Sequence, residues 1–361
     1  MPVALDEYPV HQAALSMAEV ATSDRNFYDR YYFNAHDRTG DIFVISGLGV
    51  YPNLGISDAF LTVRRGRRQW VLRCSGTMVE DRLRPRVGPY RIEVLEPLHK
   101  VRLVVDEVAD LTWEGSFPCV DEPRHLLHSG SRVIVDGRRF AQVGTWSGIL
   151  RVDGEDIDVS PDRWLGTRDR SWGIRPTGEA EPAGQPGLAA PGFWWLYVPL
   201  RFEEFAIIVI VQESPDGYRT LNAASRVFPD GRVEQLGWPR AEITYRSGTR
   251  DPVRATLHMS RRDGTPVDVD VETLGSIALH VGTGYGGDPE WTHGQWKGEG
   301  WAEQATYDLD SPEIAARMPW GVIDHVARAS CDGLEGWGLF EHASIGRHDP
   351  SGFEDFASVA P

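Results

Sequence analysis

Apolar residues alternate with small or polar ones through much of the chain, the period-two pattern of strands with one buried face. The stretch Phe140-Ala-Gln-Val-Gly-Thr-Trp-Ser-Gly-Ile-Leu150 shows it and predicts a strand. Asp-Gly pairs at 136–137, 153–154, 216–217, 230–231 and 263–264 punctuate such stretches. They predict tight hairpin turns, because this dipeptide supplies the positive φ angles those turns demand. Many short antiparallel strands follow. Helical patterns are confined to 12–20 and 312–318, the second with Ser311 placed to cap and Pro312 at the first helical position. The apolar run 205–211 (FAIIVIV) has the length of a strand, far short of the roughly 20 residues that cross a bilayer.

A chain of 361 residues exceeds what one hydrophobic core usually serves, so two domains are expected. Residues 176–192 (PTGEAEPAGQPGLAAPG) carry no periodicity and read as a linker. The expected organisation is an N-terminal extension (1–24), a first domain (25–175), the linker (176–192) and a second domain (193–361). Gly144-Thr-Trp-Ser-Gly148 matches Gly294-Gln-Trp-Lys-Gly298, and Trp172-Gly173-Ile174 matches Trp320-Gly321-Val322, at offsets that agree within a short insertion. Trp337-Gly338-Leu339 is a competing match, and the shared string at 131–138 and 225–232 reads as a recurring hairpin. Two halves of about 150 residues suit two up-and-down antiparallel barrels, a mostly β fold with enclosed cavities.

Charge narrows the partners. With 37 Lys plus Arg against 53 Asp plus Glu, a net −16, nucleic acid and anionic membrane surfaces are disfavoured. Cys74, Cys119 and Cys331 lie far apart, which argues against a disulfide framework and for a reducing, cytoplasmic setting. The first twenty residues lack the basic start and apolar core of a signal peptide. No phosphate loop, H-E-x-x-H or nucleophile elbow occurs. The glycines of 282–287 lack a following helix and read as a hairpin or barrel-mouth loop, and the basic run 64–68 as a charged turn tip. His125 and His128 do not complete a ligand set, so no metal and no cofactor are expected.

Thirteen tryptophans, many beside glycine, are read either as core plugs or as the lining of an apolar pocket. The most distinctive string, Trp164-Leu-Gly-Thr-Arg-Asp-Arg-Ser-Trp-Gly-Ile-Arg-Pro176, closes the first half. On a strand Asp169 and Ser171 share one face, and Arg168, Arg170 and Trp172 the other. Asp169 facing an apolar pocket would have a raised pKa and could protonate an alkene or enol ether. Alternatively Arg168, Arg170 and Arg175 form with it a structural charge network. His293 and Glu341, which precedes His342, are the remaining acid–base candidates, with the structural reading of a hydrogen-bonded histidine beside the catalytic one.

These strings carry a resemblance. Phe27-Tyr28-Asp29-Arg30-Tyr31-Tyr32-Phe33, Arg168-Asp169-Arg170-Ser171-Trp172-Gly173, Trp291-Thr-His293-Gly294-x-Trp296 and Gly336-x-Gly338-x-x-Glu341-His342 are similar to motifs of the carotenoid 1,2-hydratases and AttH-like proteins. Their tandem lipocalin-like fold is shared with fungal decalin-forming Diels–Alderases, and the resemblance spans most of residues 25–348. It implies two lipocalin-like barrels in tandem and an apolar polyene, polyketide or terpenoid ligand. The implied reactions are hydration, isomerisation or cyclisation. It also implies Asp169 as proton donor with Trp172 and Trp296 as cavity aromatics; Tyr32, Trp194 and Tyr197 are further substrate-binding candidates. A carrier without chemistry is the alternative, since the lipocalin shape allows one.

Overall fold

The computed structural model describes residues 7–9, 20–79, 81–178, 192–286 and 288–361. The helical pattern at 12–20 falls almost wholly outside them, as does most of the linker.

Strand periodicity becomes two antiparallel sheets. The second closes into an eight-stranded barrel in simple up-and-down order, from Gly192–Arg201 to Leu334–Gly346, which pair with each other. The first is a curled sheet of fourteen strands among the described residues. At its centre Phe27–His36 pairs on one side with Ile42–Tyr51 and on the other with Leu165–Ile174, which in turn pairs with the long strand Arg132–Val152.

Alternation sorts side chains into three cores. Tyr31, Phe33 and Leu48 point into the curl of the first sheet with Trp113 and Trp146. Leu196, Val198, Val209, Leu257, Val269 and Phe340 fill the barrel. Their alternate neighbours Tyr32, Trp195, Tyr197, Ile208 and Ile210 meet between the sheets. The run 205–211 is therefore apolar throughout for a physical reason. Ile207, Val209 and Val211 face the barrel interior while Ala206, Ile208 and Ile210 face the other sheet, so neither side meets water.

The second half does not stay in its own sheet. After Pro266–Ala278 the chain leaves the barrel, crosses to the first sheet, adds the strand Trp301–Asp308 beside Arg68–Thr77, and returns through the helix Pro312–Arg317. Arg73 clamps this crossing, reaching Glu290 at 2.7 Å and Glu303 at 3.0 Å. The helix begins where expected, with Pro312 in its first turn, although Ser311 makes no side-chain cap bond.

The crossing overturns the proposed repeat alignment. Gly294–Gly298 lies in the crossing loop, whereas 144–148 is mid-strand. Trp320 is in a short 3-10 turn. The competing Trp337-Gly338 does not restore the repeat, since Trp337 pairs with Arg201 at the end of the barrel's first strand whereas Trp172 pairs with Asp29 near the start of its partner strand. Asp136-Gly137 is likewise no turn. It continues the strand Arg132–Val152, with Asp136 held by Arg124 through two 2.6 Å contacts. Asp153-Gly154 turns with both residues at positive φ, and so does Asp332-Gly333, which the series above omits.

Glycine beside tryptophan is a packing device in the first half. Trp146 donates from Nε1 to the Asn34 carbonyl at 2.8 Å by lying over Gly166, where a Cβ would sit 2.0 Å from that oxygen. Gly166→Ala is therefore expected to cost about 1–3 kcal/mol of stability, the usual cost of overpacking, and so to lower the urea midpoint. An unchanged midpoint would show that the strands can part freely here.

Candidate functional site

The barrel interior is filled, and the large cavity lies between the two sheets, with a volume of about 890 Å³. Three strands of the first sheet build one wall. Phe27–His36 projects Tyr28, Arg30 and Tyr32, all on one face by alternation; Leu165–Ile174 projects Asp169 and Ser171; Arg132–Val152 projects Arg139. The barrel supplies Phe193, Trp195, Ile210, Leu221 and Glu341. The crossing loop closes a side with Tyr285 and His293, and Gly284 and Gly286 of the glycine-rich stretch form part of the cavity wall.

Asp169 sits opposite Tyr32 in the strand register and faces this cavity. Arg168 and Arg170 point the other way, into the first core, and each has its own carboxylate. Arg168 contacts Glu7 at 2.5 and 3.0 Å, and Arg170 pairs with Asp29 beneath the Tyr31 ring. The expected charge network thus exists but excludes Asp169. Among the described residues the Asp169 carboxyl has no hydrogen-bond or ion-pair partner. Burial pushes its pKa up to about 7; Arg139 opposes the rise, and the carboxylates of Glu122 and Glu341 add to it. Arg139 itself is committed to Glu122 at 2.5 Å and lies over the Tyr197 ring.

A second acidic feature adjoins it. Glu341 is flanked in the barrel by Asp324 on one side and Tyr197 on the other. The Tyr32 hydroxyl donates to Asp324, and Trp195 donates from Nε1 to Glu341 at 2.5 Å. Burial together with the Glu341 charge pushes Asp324 well above the usual carboxylate range, and burial also raises Glu341. Asp324 and Glu341 are partners in the strand register, and the second Asp324 oxygen is buried without a hydrogen-bond partner among the described residues.

The remaining candidates divide. His293 lines the cavity, but its Nε2 donates to the Thr283 carbonyl at 2.7 Å and its Nδ1 accepts from Arg30. Burial, with Arg30 and Arg175 nearby, holds it well below the usual imidazole range, so the ring is neutral with both nitrogens engaged. That geometry positions Arg30 and leaves no nitrogen for acid–base work. Arg175 lines the cavity rather than bracing Asp169. Tyr197 is buried in the inter-sheet core, under Arg139. The expectation that Trp172, Trp194 and Trp296 line the cavity is corrected. Trp172 is half-buried outside it, on the face opposite Asp169. Trp194 points into the barrel and stacks on His348 at 5.1 Å, and Trp296 is 49% exposed on the crossing loop.

Glu122, Arg139, Trp195, Tyr285 and Asp324 are site residues absent from the candidate set. Two had a readable signal. Arg139 is in phase with Ala141 and Val143, and Asp324 with Val326, all apolar inter-sheet residues. A charge in phase with a buried apolar face marks a built polar site. Tyr285 lies in an aperiodic loop that gives none.

Residues 3–354 match the family described as "Family of unknown function (DUF8625)". The chain belongs to that family. No curated protein sequence matches this DUF8625 member significantly. Among solved structures it is similar to an AttH-like protein (NE1406) from Nitrosomonas europaea, 13% identical with TM-score 0.53, covering 90% of this chain and 94% of that one. It is also similar to kievitone hydratase from Nectria haematococca, 14% identical with TM-score 0.50 over 93% and 97% of the two chains. CghA with Sch210972 is 12% identical with TM-score 0.52 over 94% and 95%. These likenesses show the fold, two lipocalin-like β units in tandem. No helix of the described residues is long and apolar enough to cross a membrane.

Proposed function

We propose that this protein is an enzyme that binds an apolar, unsaturated small molecule between its sheets and transforms it by proton transfer from Asp169. The observation that carries this reading is a carboxyl that faces a cavity of mixed apolar and polar lining, has no hydrogen-bonded cationic partner among the described residues, and has its pKa pushed up to about 7 by burial. A carrier gains nothing from such a group, whose burial costs stability whenever it ionises.

The step is a protonation. Asp169 O–H delivers its proton to one carbon of a polarised double bond, the C–H bond forms as the π bond breaks, and Asp169 is left as carboxylate. The cation develops beside Glu341, with the Trp195 and Tyr285 rings on the cavity wall able to face it. Water then adds and returns its proton to Asp169, giving hydration. Loss of a neighbouring C–H proton to the same carboxylate gives isomerisation, and attack by a second double bond before that loss gives cyclisation. In each case the acid is regenerated without a cofactor. The likeness to kievitone hydratase supports hydration among these.

Native mass spectrometry with organic extraction tests the reading, comparing wild type with Asp169→Asn produced in the same host. A bound unsaturated compound is expected unconverted in the variant and converted in the wild type. The same unaltered compound in both would make the protein a carrier.

A further inference from the structure

The cavity has a cationic end that the protonation step does not use. Three arginines sit buried or half-buried on its wall, Arg30, Arg139 and Arg175. Arg139 has Glu122. Among the described residues neither Arg30 nor Arg175 has a hydrogen-bonded carboxylate. Both converge instead on the uncharged His293 ring. Arg30 donates to Nδ1, and the Arg175 Nη2 lies 3.4 Å from the same atom. The two guanidiniums also share the Tyr285 ring, at 5.4 and 6.0 Å from its centre, and Arg175 covers Tyr28 at 4.5 Å.

Asp58, which acts electrostatically on both guanidiniums, is hydrogen-bonded to neither. Its oxygens are taken by the Gly294 N–H at 2.6 Å and the Tyr51 hydroxyl at 3.2 Å. Asp169 acts in the same way on Arg30, yet among the described residues no carboxylate is hydrogen-bonded to either guanidinium, so both cations lack a direct anionic contact on the wall of a partly apolar cavity. Elsewhere the buried arginines of the first sheet, Arg73, Arg168 and Arg170, each meet an acid. Burying a cation without a direct anionic contact is costly, so the missing contact marks a place where the partner arrives with the ligand.

We propose that Arg30 and Arg175 hold a monoanionic head group of the substrate, a carboxylate or an ionised enol, whose two oxygens suit paired guanidiniums. This deepens the reading of the cavity as the ligand site and rests on it. The head group at this end directs the unsaturated part along the wall towards Asp169 and Glu341, where the acids would repel an anion. His293 is then a positioning residue, holding Arg30 without adding charge.

Fluorescence titration at pH 8 with cis-parinaric acid and its methyl ester tests this on wild type, Arg175→Met and Arg175→Lys. The acid is expected to bind about tenfold more tightly than the ester, the scale of one charge-assisted hydrogen bond. Arg175→Met should bring the acid down to the ester without changing the ester, which reports on cavity integrity, and Arg175→Lys should retain part of the preference. Equal binding of acid and ester to wild type, or equal weakening of both by Arg175→Met, would overturn the anion seat and leave the apolar cavity standing. Failure of both probes to bind would overturn the seat together with the cavity reading.

Discussion

Asp169→Asn is expected to silence conversion and at the same time to stabilise the protein above neutral pH. The amide has nearly the same shape but cannot deliver a proton, and general acids of this kind contribute about 10²–10⁴-fold in rate. Wild-type turnover should fall as pH rises through about 7, the point at which Asp169 loses its proton. The stability effect follows from linkage. The folded pKa is raised from 3.8 to about 7, so between those values the native state holds a proton that the unfolded chain has released. Stability from this group therefore declines as pH rises from about 4 to about 7 and is flat beyond. Asparagine has no such dependence. In urea unfolding the variant should match wild type closely at pH 4 and exceed it at pH 8, by up to about 4 kcal/mol. A variant less stable than wild type at pH 8 would mean that the carboxylate has a stabilising partner after all.

The largest loss of stability is expected from Glu7→Ala. Glu7 is buried in the first half, where it accepts two contacts from Arg168 and one from the Leu98 N–H at 2.5 Å. Arg168 is also held by Gln142 at 2.8 Å and has no exposed side-chain surface. Removing the carboxylate leaves a guanidinium uncompensated in the core, which costs about 3–5 kcal/mol. The double substitution Glu7→Leu with Arg168→Met should recover most of that loss, because desolvation of both charges disappears together. Denaturation of the single and double variants checks both statements. Equal loss in the two would assign the effect to packing.

How much of this was legible in the sequence depended on whether a residue's partners were local. Strand alternation gave the β class and placed Asp169 and Ser171 on a face opposite Arg168 and Arg170, because that relation is set by the backbone alone. Which carboxylates answer those arginines was not readable. Glu7 and Asp29 lie about 160 and 140 residues away and are brought in by folding. The same limit explains the tryptophans. A glycine neighbour does not say which way an indole points, and Trp194 and Trp195, adjacent in sequence, face the barrel interior and the cavity respectively. Nothing in the periodicity reveals that the loop after Ala278 leaves its barrel, since a strand at the edge of either sheet reads alike. That excursion brings Tyr285 and His293 to the cavity and takes Trp296 and Trp320 out of the strands that a repeat would require.

The proposed chemistry requires Asp169 to carry a proton near neutral pH while facing the cavity. The direct measurement is carboxyl 13C NMR of aspartate-labelled protein across pH 4 to 9, with Asp169→Asn assigning the resonance by its absence. The Asp169 carboxyl is expected to titrate with a midpoint of about 7. A resonance already in its ionised position at pH 5 would contradict it, and Asp169 could not then be the acid.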